Sequence, residues 1–224
     1  MSDHRPPLGL TGGDGLFSPL LEGAIRLAAR GHYHQFRKTA EQPASTGHES
    51  SAAPERVPYI THLMGTVCIL ARLGVRDEVL AAAALHDYLE DVADPEGPES
   101  IRGVGGDEVL ALVLAVTEDK RRDRSETDTW ELRKREQVAR VDVMPEEAVL
   151  VKAADVLHNV QSLLADLGRT DDAASVWRPF NAGPRRQLWY FESVSEAVGR
   201  RLGDHPLSRE LRAAVSCLRT ALPG

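Results

Sequence analysis

The chain has 224 residues, 42% of them hydrophobic and 27% charged, with a formal net charge of −7 and a pI near 5.6. That balance is a soluble globular protein's; it excludes a disordered chain and a general nucleic-acid binder lacking a local basic surface. Aromatic residues make up only 5%, which favours helices over a β-sandwich.

Residues 1–17, with Pro6-Pro7 and Gly12-Gly13, read as a flexible arm. Ser18 and Pro19 suit the N-cap and first turn of a helix with Leu20, Leu21, Ala24, Leu27 and Ala28 as its stripe, running towards Lys38. Residues 39–57 mix Ser, Ala, Glu, Pro and Gly and read as a long mobile loop. A second helix is expected over 58–73, stopped by Gly74, and a third over 77–91, apolar nearly all round from Val79 to Leu85 and therefore buried. Asp94-Pro95, Gly97-Pro98 and the glycines from Gly103 to Gly106 mark turns around a short helix, and another helix follows over 107–117. Charged residues 118–128 lead into a solvated helix over 129–141. Pro145-Glu146-Glu147 opens a helix that reaches Leu167 and ends at Gly168. Two more, over 184–201 and 206–221, close the chain. With no convincing strand and no repeat, the expected fold is all-α. It is a single-domain helical bundle of about eight to ten helices over 18–202, with a C-terminal helix in 203–224 packed on it.

Cys68 and Cys217 are too few for a disulfide framework and read as buried thiols in a reducing compartment. No apolar run approaches the ~20 residues of a membrane span, and the first residues lack the apolar core of a secretory signal. A cytoplasmic location is expected.

Four residues can share a divalent cation: His62, His86, Asp87 and Asp155. Two imidazoles and two carboxylates, with no thiolate, do not make a closed structural zinc site. Four protein ligands on an ion that prefers six leave room for water and a substrate oxygen. Carboxylates in the Ala-rich surroundings of Asp87 and Asp155 need a cation or donors beside them. Glu90 and Asp91 follow one turn later, so His86 lies over Glu90 and Asp87 over Asp91. Acids at a helix C-terminus oppose its dipole, and here they suit the orientation and deprotonation of a water. Lys152, Asp155 and Asn159, at i, i+3 and i+7, share one helical face that can line a phosphorylated nucleotide. His158 turns away from that face and reads as a core or second-layer histidine. His32 and His34 read equally as surface residues or site contacts; the basic run Lys120-Arg121-Arg122 with Arg124 reads first as a solvated face, with help in offsetting the substrate's charge as the alternative. Trp177, Phe180, Trp189, Tyr190 and Phe191 read as core or subunit contacts.

The four ligands resemble the pattern of the HD-domain phosphohydrolase superfamily. Across roughly residues 18–167 the text is similar to the hydrolase domain of the (p)ppGpp synthetase/hydrolases. The matching segments are Gln35-Phe-Arg37-Lys38, Pro58-Tyr-Ile-Thr-His62, Ala82-Ala-Ala-Leu-His-Asp-Tyr-Leu-Glu-Asp91, Val113-Leu-Ala-Val-Thr117 and Val151-Lys-Ala-Ala-Asp-Val-Leu-His-Asn159. With no synthetase domain attached, the chain resembles a small alarmone hydrolase.

The resemblance implies an HD-type helical bundle. It also implies a Mn²⁺-dependent pyrophosphohydrolase, other divalent transition metals being open, that removes the 3′-pyrophosphate of guanosine tetra- or pentaphosphate. His62, His86, Asp87 and Asp155 would hold the metal and Glu90 and Asp91 the water. Arg37, Lys38, Lys152, Asn159 and Ser162 would hold the nucleotide. The implied partner is a phosphorylated guanine nucleotide, not DNA or a membrane; homo-oligomerisation is left open. Three departures stand out: the long segment 39–57, His34 where the family has Gly, and Ser162 where it usually has Thr. The competing readings are an HD-type hydrolase of another nucleotide (an adenosine alarmone or a nucleoside monophosphate) and a non-catalytic alarmone-binding regulator. Retention of all six metal and water-handling residues disfavours the second. A role as antitoxin against an alarmone synthetase would still be hydrolysis.

Overall fold

The computed structural model describes residues 16–38 and 56–222. Most of the expected N-terminal arm and of the 39–57 loop therefore lies outside the described residues. The chain order is α1 (Pro19–Gly31), α2 (Ile60–Ala71), α3 (Asp77–Leu85), α4 (Tyr88–Asp91) and α5 (Gly97–Val116), then α6 (Glu126–Val141), α7 (Glu146–Leu167), α8 (Ala173–Trp177), α9 (Pro184–Leu202) and α10 (Pro206–Ala221). Among the described residues there is no strand, only an isolated antiparallel bridge between Phe36 and Pro58. The all-α expectation holds. No described helix is long and apolar enough to cross a membrane.

Ser18 Oγ accepts from the Leu21 amide at 3.1 Å, so α1 starts where its cap residue says. It stops at Gly31 rather than running towards Lys38. There the backbone turns sideways into the bridge: Arg37 N–H donates to the Val57 carbonyl at 2.8 Å, and Tyr59 N–H to the Gln35 carbonyl at 2.9 Å. A helical continuation would forfeit those bonds.

Helix α7 is the axis of the molecule, packed by α2, α3, α5, α8, α9 and α10. It buries Val149, Val151, Ala153, Ala154, Val156, Leu157 and Val160 almost completely; each large aliphatic side chain so placed contributes about 1.5–3 kcal/mol. Its alanines let α2 and α3 approach closely. Helix α3 is buried from Val79 to Leu85, as its apolar run requires. Helix α10 packs on α7 and α9.

Four further expectations need correction. The helix expected over 77–91 is broken into α3 and α4, because His86 Nδ1 bonds the Ala83 carbonyl at 2.7 Å, the acceptor that the amide of residue 87 uses in an unbroken helix. The helix expected over 129–141 starts at Glu126 and is not solvated all round: Thr129, Trp130, Arg133, Gln137 and Val141 form a buried face. Its polar members find partners inside, as Arg133 does on Glu118 and Gln137 on the Tyr190 hydroxyl. Helix α8 escaped the sequence reading; it is only five residues long and is announced by Asp172, whose carboxylate caps Ala174 and Ser175. Cys68 and Cys217 are free and exposed rather than buried. Cys68 sits off the His62, Leu63, Thr66, Val67 and Leu70 stripe by which α2 meets the core, so an apolar run in sequence did not mean burial of every member. The short helix and the helix over 107–117 are both present, joined as α5 across a kink at Gly106, where φ is 70°.

Candidate metal centre

Three elements converge on one point. Helix α2 supplies His62, the α3–α4 junction His86 and Asp87, and α7 Asp155. His62 Nε2 lies 3.3 Å from Asp155 Oδ1 and 3.7 Å from Asp87 Oδ2; His86 Nε2 lies 3.2 Å from Asp87 Oδ2 and 3.7 Å from Asp155 Oδ1. Atoms held at about 2.1–2.3 Å from one ion stand roughly 3–3.7 Å from each other. His62, His86 and Asp87 also satisfy the mutual-distance geometry of a metal-binding group.

The rings are aimed by their other nitrogens. His86 Nδ1 donates to the Ala83 carbonyl, which leaves the Nε2 lone pair facing two carboxylates. That buried Nε2 has no hydrogen-bond partner. A lone pair opposed to two anions is unfavourable unless a cation lies between them. Without a metal the two carboxylates, against the cost of burial, raise the His86 pKa well above its ordinary value and a proton takes that place. The nitrogen and oxygen donor set around it also fits a divalent metal. His62 Nδ1 meets His158 Nδ1 at 2.9 Å. Burial, helped by the charges of His62 and Arg37, pushes His158 down to about 4, so it is neutral; for His62 Nε2 to hold a metal, the shared proton sits on His62 Nδ1 and His158 accepts it. His158 thus lies behind His62, in keeping with the expectation of a core or second-layer histidine. It fits because residue 65 is Gly: a Cβ there would stand 2.1 Å from His158 Nε2.

Beside the four candidate ligands lie the two acids. The break after α3 replaces the expected two-column stacking, but Asp91 N–H still bonds the Asp87 carbonyl at 3.0 Å, which keeps α4 one turn from the ligands. Glu90 is buried, and its Oε1 accepts from the Glu118 amide at 2.6 Å. Burial, then the charge of Asp87, push its carboxyl up to about 7. Asp91 sits at the mouth, with Gln35 Nε2 donating to Oδ2 at 3.0 Å and Lys120 Nζ to Oδ1 at 3.1 Å. Lys120 also reaches Glu90 Oε2 at 3.3 Å. Asp91 ends α4 and is exposed, but Glu90 beside it is buried and an ammonium bridges the two acids.

The expected polar wall is present. Lys152 Nζ donates to Asp155 Oδ2 at 3.0 Å and Asn159 Nδ2 to Asp155 Oδ1 at 2.7 Å. Burial opposes ionisation of Asp155, but Lys152, His62 and His86 together outweigh it and hold the carboxyl well below its ordinary value. Both terminal nitrogens of Arg37 donate to Asn159 Oδ1 at 3.1 Å, which ties the α1–α2 link to α7. Ser162 and the exposed Lys38 line the same open cleft, of about 1150 Å³.

Sequence reasoning gave no role to three contributors, and to a fourth, Lys120, only an alternative one. Tyr59 donates its hydroxyl to Asp87 Oδ2 at 2.6 Å. Gln35 and Lys120 hold the acids, and Glu118, clamped by Arg133 and Lys134, presents its amide to Glu90. Lys120 was read as part of a solvated run; its only sequence signal was a cation needed somewhere near two acids. His32 is buried and His34 exposed, which separates two residues the sequence treated alike. Tyr190 and Phe191 are buried and line the cleft's far end.

A protein-family model described as an HD domain matches residues 24–184. The chain is 36% identical over 147 residues to the guanosine-3′,5′-bis(diphosphate) 3′-pyrophosphohydrolase MESH1 of Danio rerio, covering 65% of this chain and 71% of that protein. It is 35% identical over 181 residues to MESH1 of Xenopus tropicalis, covering 80% and 83%. The bifunctional (p)ppGpp synthase/hydrolase SpoT of Escherichia coli is 33% identical over 121 residues, but this chain spans only 17% of its length. Among solved structures, a metazoan orthologue of SpoT described as hydrolysing ppGpp superposes with a TM-score of 0.67 at 25% identity, covering 93% of this chain and 99% of the other. The chain belongs to the HD-domain family, in the branch of the small alarmone hydrolases.

Proposed function

We propose that the protein is a metal-dependent hydrolase that removes the 3′-pyrophosphate of guanosine tetra- or pentaphosphate. What supports this most is the unpartnered, buried His86 Nε2 facing Asp87 and Asp155, in a chain whose MESH1 relatives carry that activity by name over most of their length. His62, His86, Asp87 and Asp155 hold the cation, and a mixed nitrogen and oxygen set with open positions suits Mn²⁺. A divalent ion bound there supplies Lewis-acid polarisation of the phosphoryl oxygens.

The chain's own residues do the rest. Glu90, ionised above about pH 7, accepts the proton of the attacking water, and Asp91 orients that water. Water adds to the phosphorus attached to the 3′ oxygen, the bond between them breaks, the 3′ oxygen takes up a proton from Glu90 or solvent to become the nucleotide's hydroxyl, and pyrophosphate leaves. Lys152, Lys120 and Arg37 offset the charge of a polyanionic nucleotide in an otherwise acidic protein. Lys38, Asn159 and Ser162 complete the nucleotide wall. Exposed free thiols at Cys68 and Cys217 suit a reducing compartment such as the cytoplasm.

Incubation with ppGpp and Mn²⁺ should yield GDP and pyrophosphate, and chelator should stop the reaction. Orthophosphate as the product, or faster turnover of an adenosine alarmone or a nucleoside monophosphate, would reassign the substrate. Gly65→Ala tests the second layer. Its methyl group displaces His158 and so turns His62, and metal affinity should fall about 10–100-fold by calorimetric titration with Mn²⁺. Unchanged affinity would remove His158 from the ligand-aiming role.

A further inference from the structure

We infer that His32 is a positioning residue for Asp91, acting through the side-chain amide of Gln35; the inference deepens the hydrolase reading above and rests on it. His32 closes α1 and is only 2% exposed. Its Nδ1 lies 2.6 Å from Gln35 Oε1, and Gln35 Nε2 donates to Asp91 Oδ2 at 3.0 Å.

The direction of this chain follows from donor and acceptor counts. An ionised carboxylate only accepts, so Gln35 must turn its NH₂ group to Asp91 and its carbonyl oxygen to His32. His32 must therefore carry its proton on Nδ1, which leaves Nε2 a bare acceptor. That Nε2 is buried without a partner. The other tautomer would oppose a lone pair to the Gln35 oxygen and bury an unsatisfied N–H, two losses instead of one weak one.

Without His32, the Gln35 amide is free to flip by half a turn and face Asp91 with oxygen. The imidazole removes that alternative. It is itself immobilised, stacked on the Tyr59 ring at 5.2 Å and 25° and set edge-on to Tyr88 at 6.3 Å. Tyr59 in turn holds Asp87, so the buried end of α1 braces a metal ligand through one neighbour and a water-handling acid through another. Lys120 occupies the second oxygen of Asp91. With a donor on each oxygen the plane of the carboxylate is set, and so is the direction in which it can hold a water.

An acid that orients water acts in the transition state, so the effect belongs in kcat. His32→Leu should lower kcat about tenfold with KM within about twofold of wild type. His32→Asn, whose amide nitrogen can take the place of Nδ1, should stay within about threefold. Gln35→Leu should match His32→Leu, and the double variant should lose no more than either single one, because both act along one path. Long-range ¹⁵N–¹H correlation spectra of the full chain, with the His32 signal identified by its absence in His32→Asn, should show the Nδ1–H tautomer. Wild-type kcat in His32→Leu, additive losses in the double variant, or an Nε2–H tautomer would each overturn the inference. A wild-type protein that releases no pyrophosphate from ppGpp would instead refute the proposed activity, and the tautomer would still decide the His32–Gln35 arrangement.

Discussion

Asp87→Ala is expected to lower kcat/KM for ppGpp by about a thousandfold or more, and to abolish the protein's response to Mn²⁺ without unfolding it. Asp87 faces His62 and His86 from the α3–α4 junction and shares no other cation among the described residues. Its loss leaves two imidazoles and one carboxylate, too weak a set to hold the ion in place. The fold does not depend on it: α3 keeps its buried run from Val79 to Leu85, and the bond from His86 to the Ala83 carbonyl is untouched. A ligand at about 100 times its Kd stabilises the folded state by about 2.7 kcal/mol. For a chain of this size that is a melting shift of about 5–10 °C. The wild type should show such a shift with Mn²⁺ and Asp87→Ala none, both still unfolding cooperatively after chelation. A variant that keeps the shift would take Asp87 out of the ligand set even if its turnover were lost.

Glu90→Gln should be nearly inactive and more stable. As the acceptor of the water's proton Glu90 contributes about a hundredfold or more, and an amide cannot replace it. The stability effect follows from the carboxyl's pKa, raised from 4.5 to about 7 by burial and the charge of Asp87. Below the unfolded value both states are protonated and nothing is lost. As pH rises from about 4.5 to about 7 the folded state binds more protons than the unfolded one, so stability falls. Above that window the ionised, buried carboxylate costs about 3 kcal/mol. Glutamine carries no such cost and can still accept from the Glu118 amide. Thermal melts after chelation should therefore show Glu90→Gln above wild type at mildly alkaline pH by about 3 kcal/mol, the attraction of Lys120 being already contained in the raised pKa, and level with it near pH 4.5. Equal melting temperatures at both ends would contradict the buried, strained carboxylate. In turnover the acid limb of the wild type should lie at or below about pH 7, because a bound cation draws the carboxyl down.

The alternation of apolar and polar residues determined the helices, and composition the all-α class, since periodicity and caps act locally: Ser18, Gly74 and Gly168 mark ends within a residue or two of those observed. The convergence of His62, His86, Asp87 and Asp155, the proposed metal ligands, was legible for a different reason. Paired imidazoles and carboxylates in buried, Ala-rich runs have few other ways to be stable. What lay beyond the sequence were groups whose role comes from a partner far along the chain. Gln35 finds Asp91, Tyr59 finds Asp87, Arg37 finds Asn159, and the Glu118 amide finds Glu90. None of these pairings leaves a local period to detect. The same holds for the charged face of α6, which looked solvated because the sequence does not reveal that Glu118 and Tyr190 wait opposite it. Hydrophobic spacing is written one turn at a time; the satisfaction of a buried polar group depends on which helix the fold brings against it, and only the packing of α1, α4, α6 and α7 around one cleft decided that.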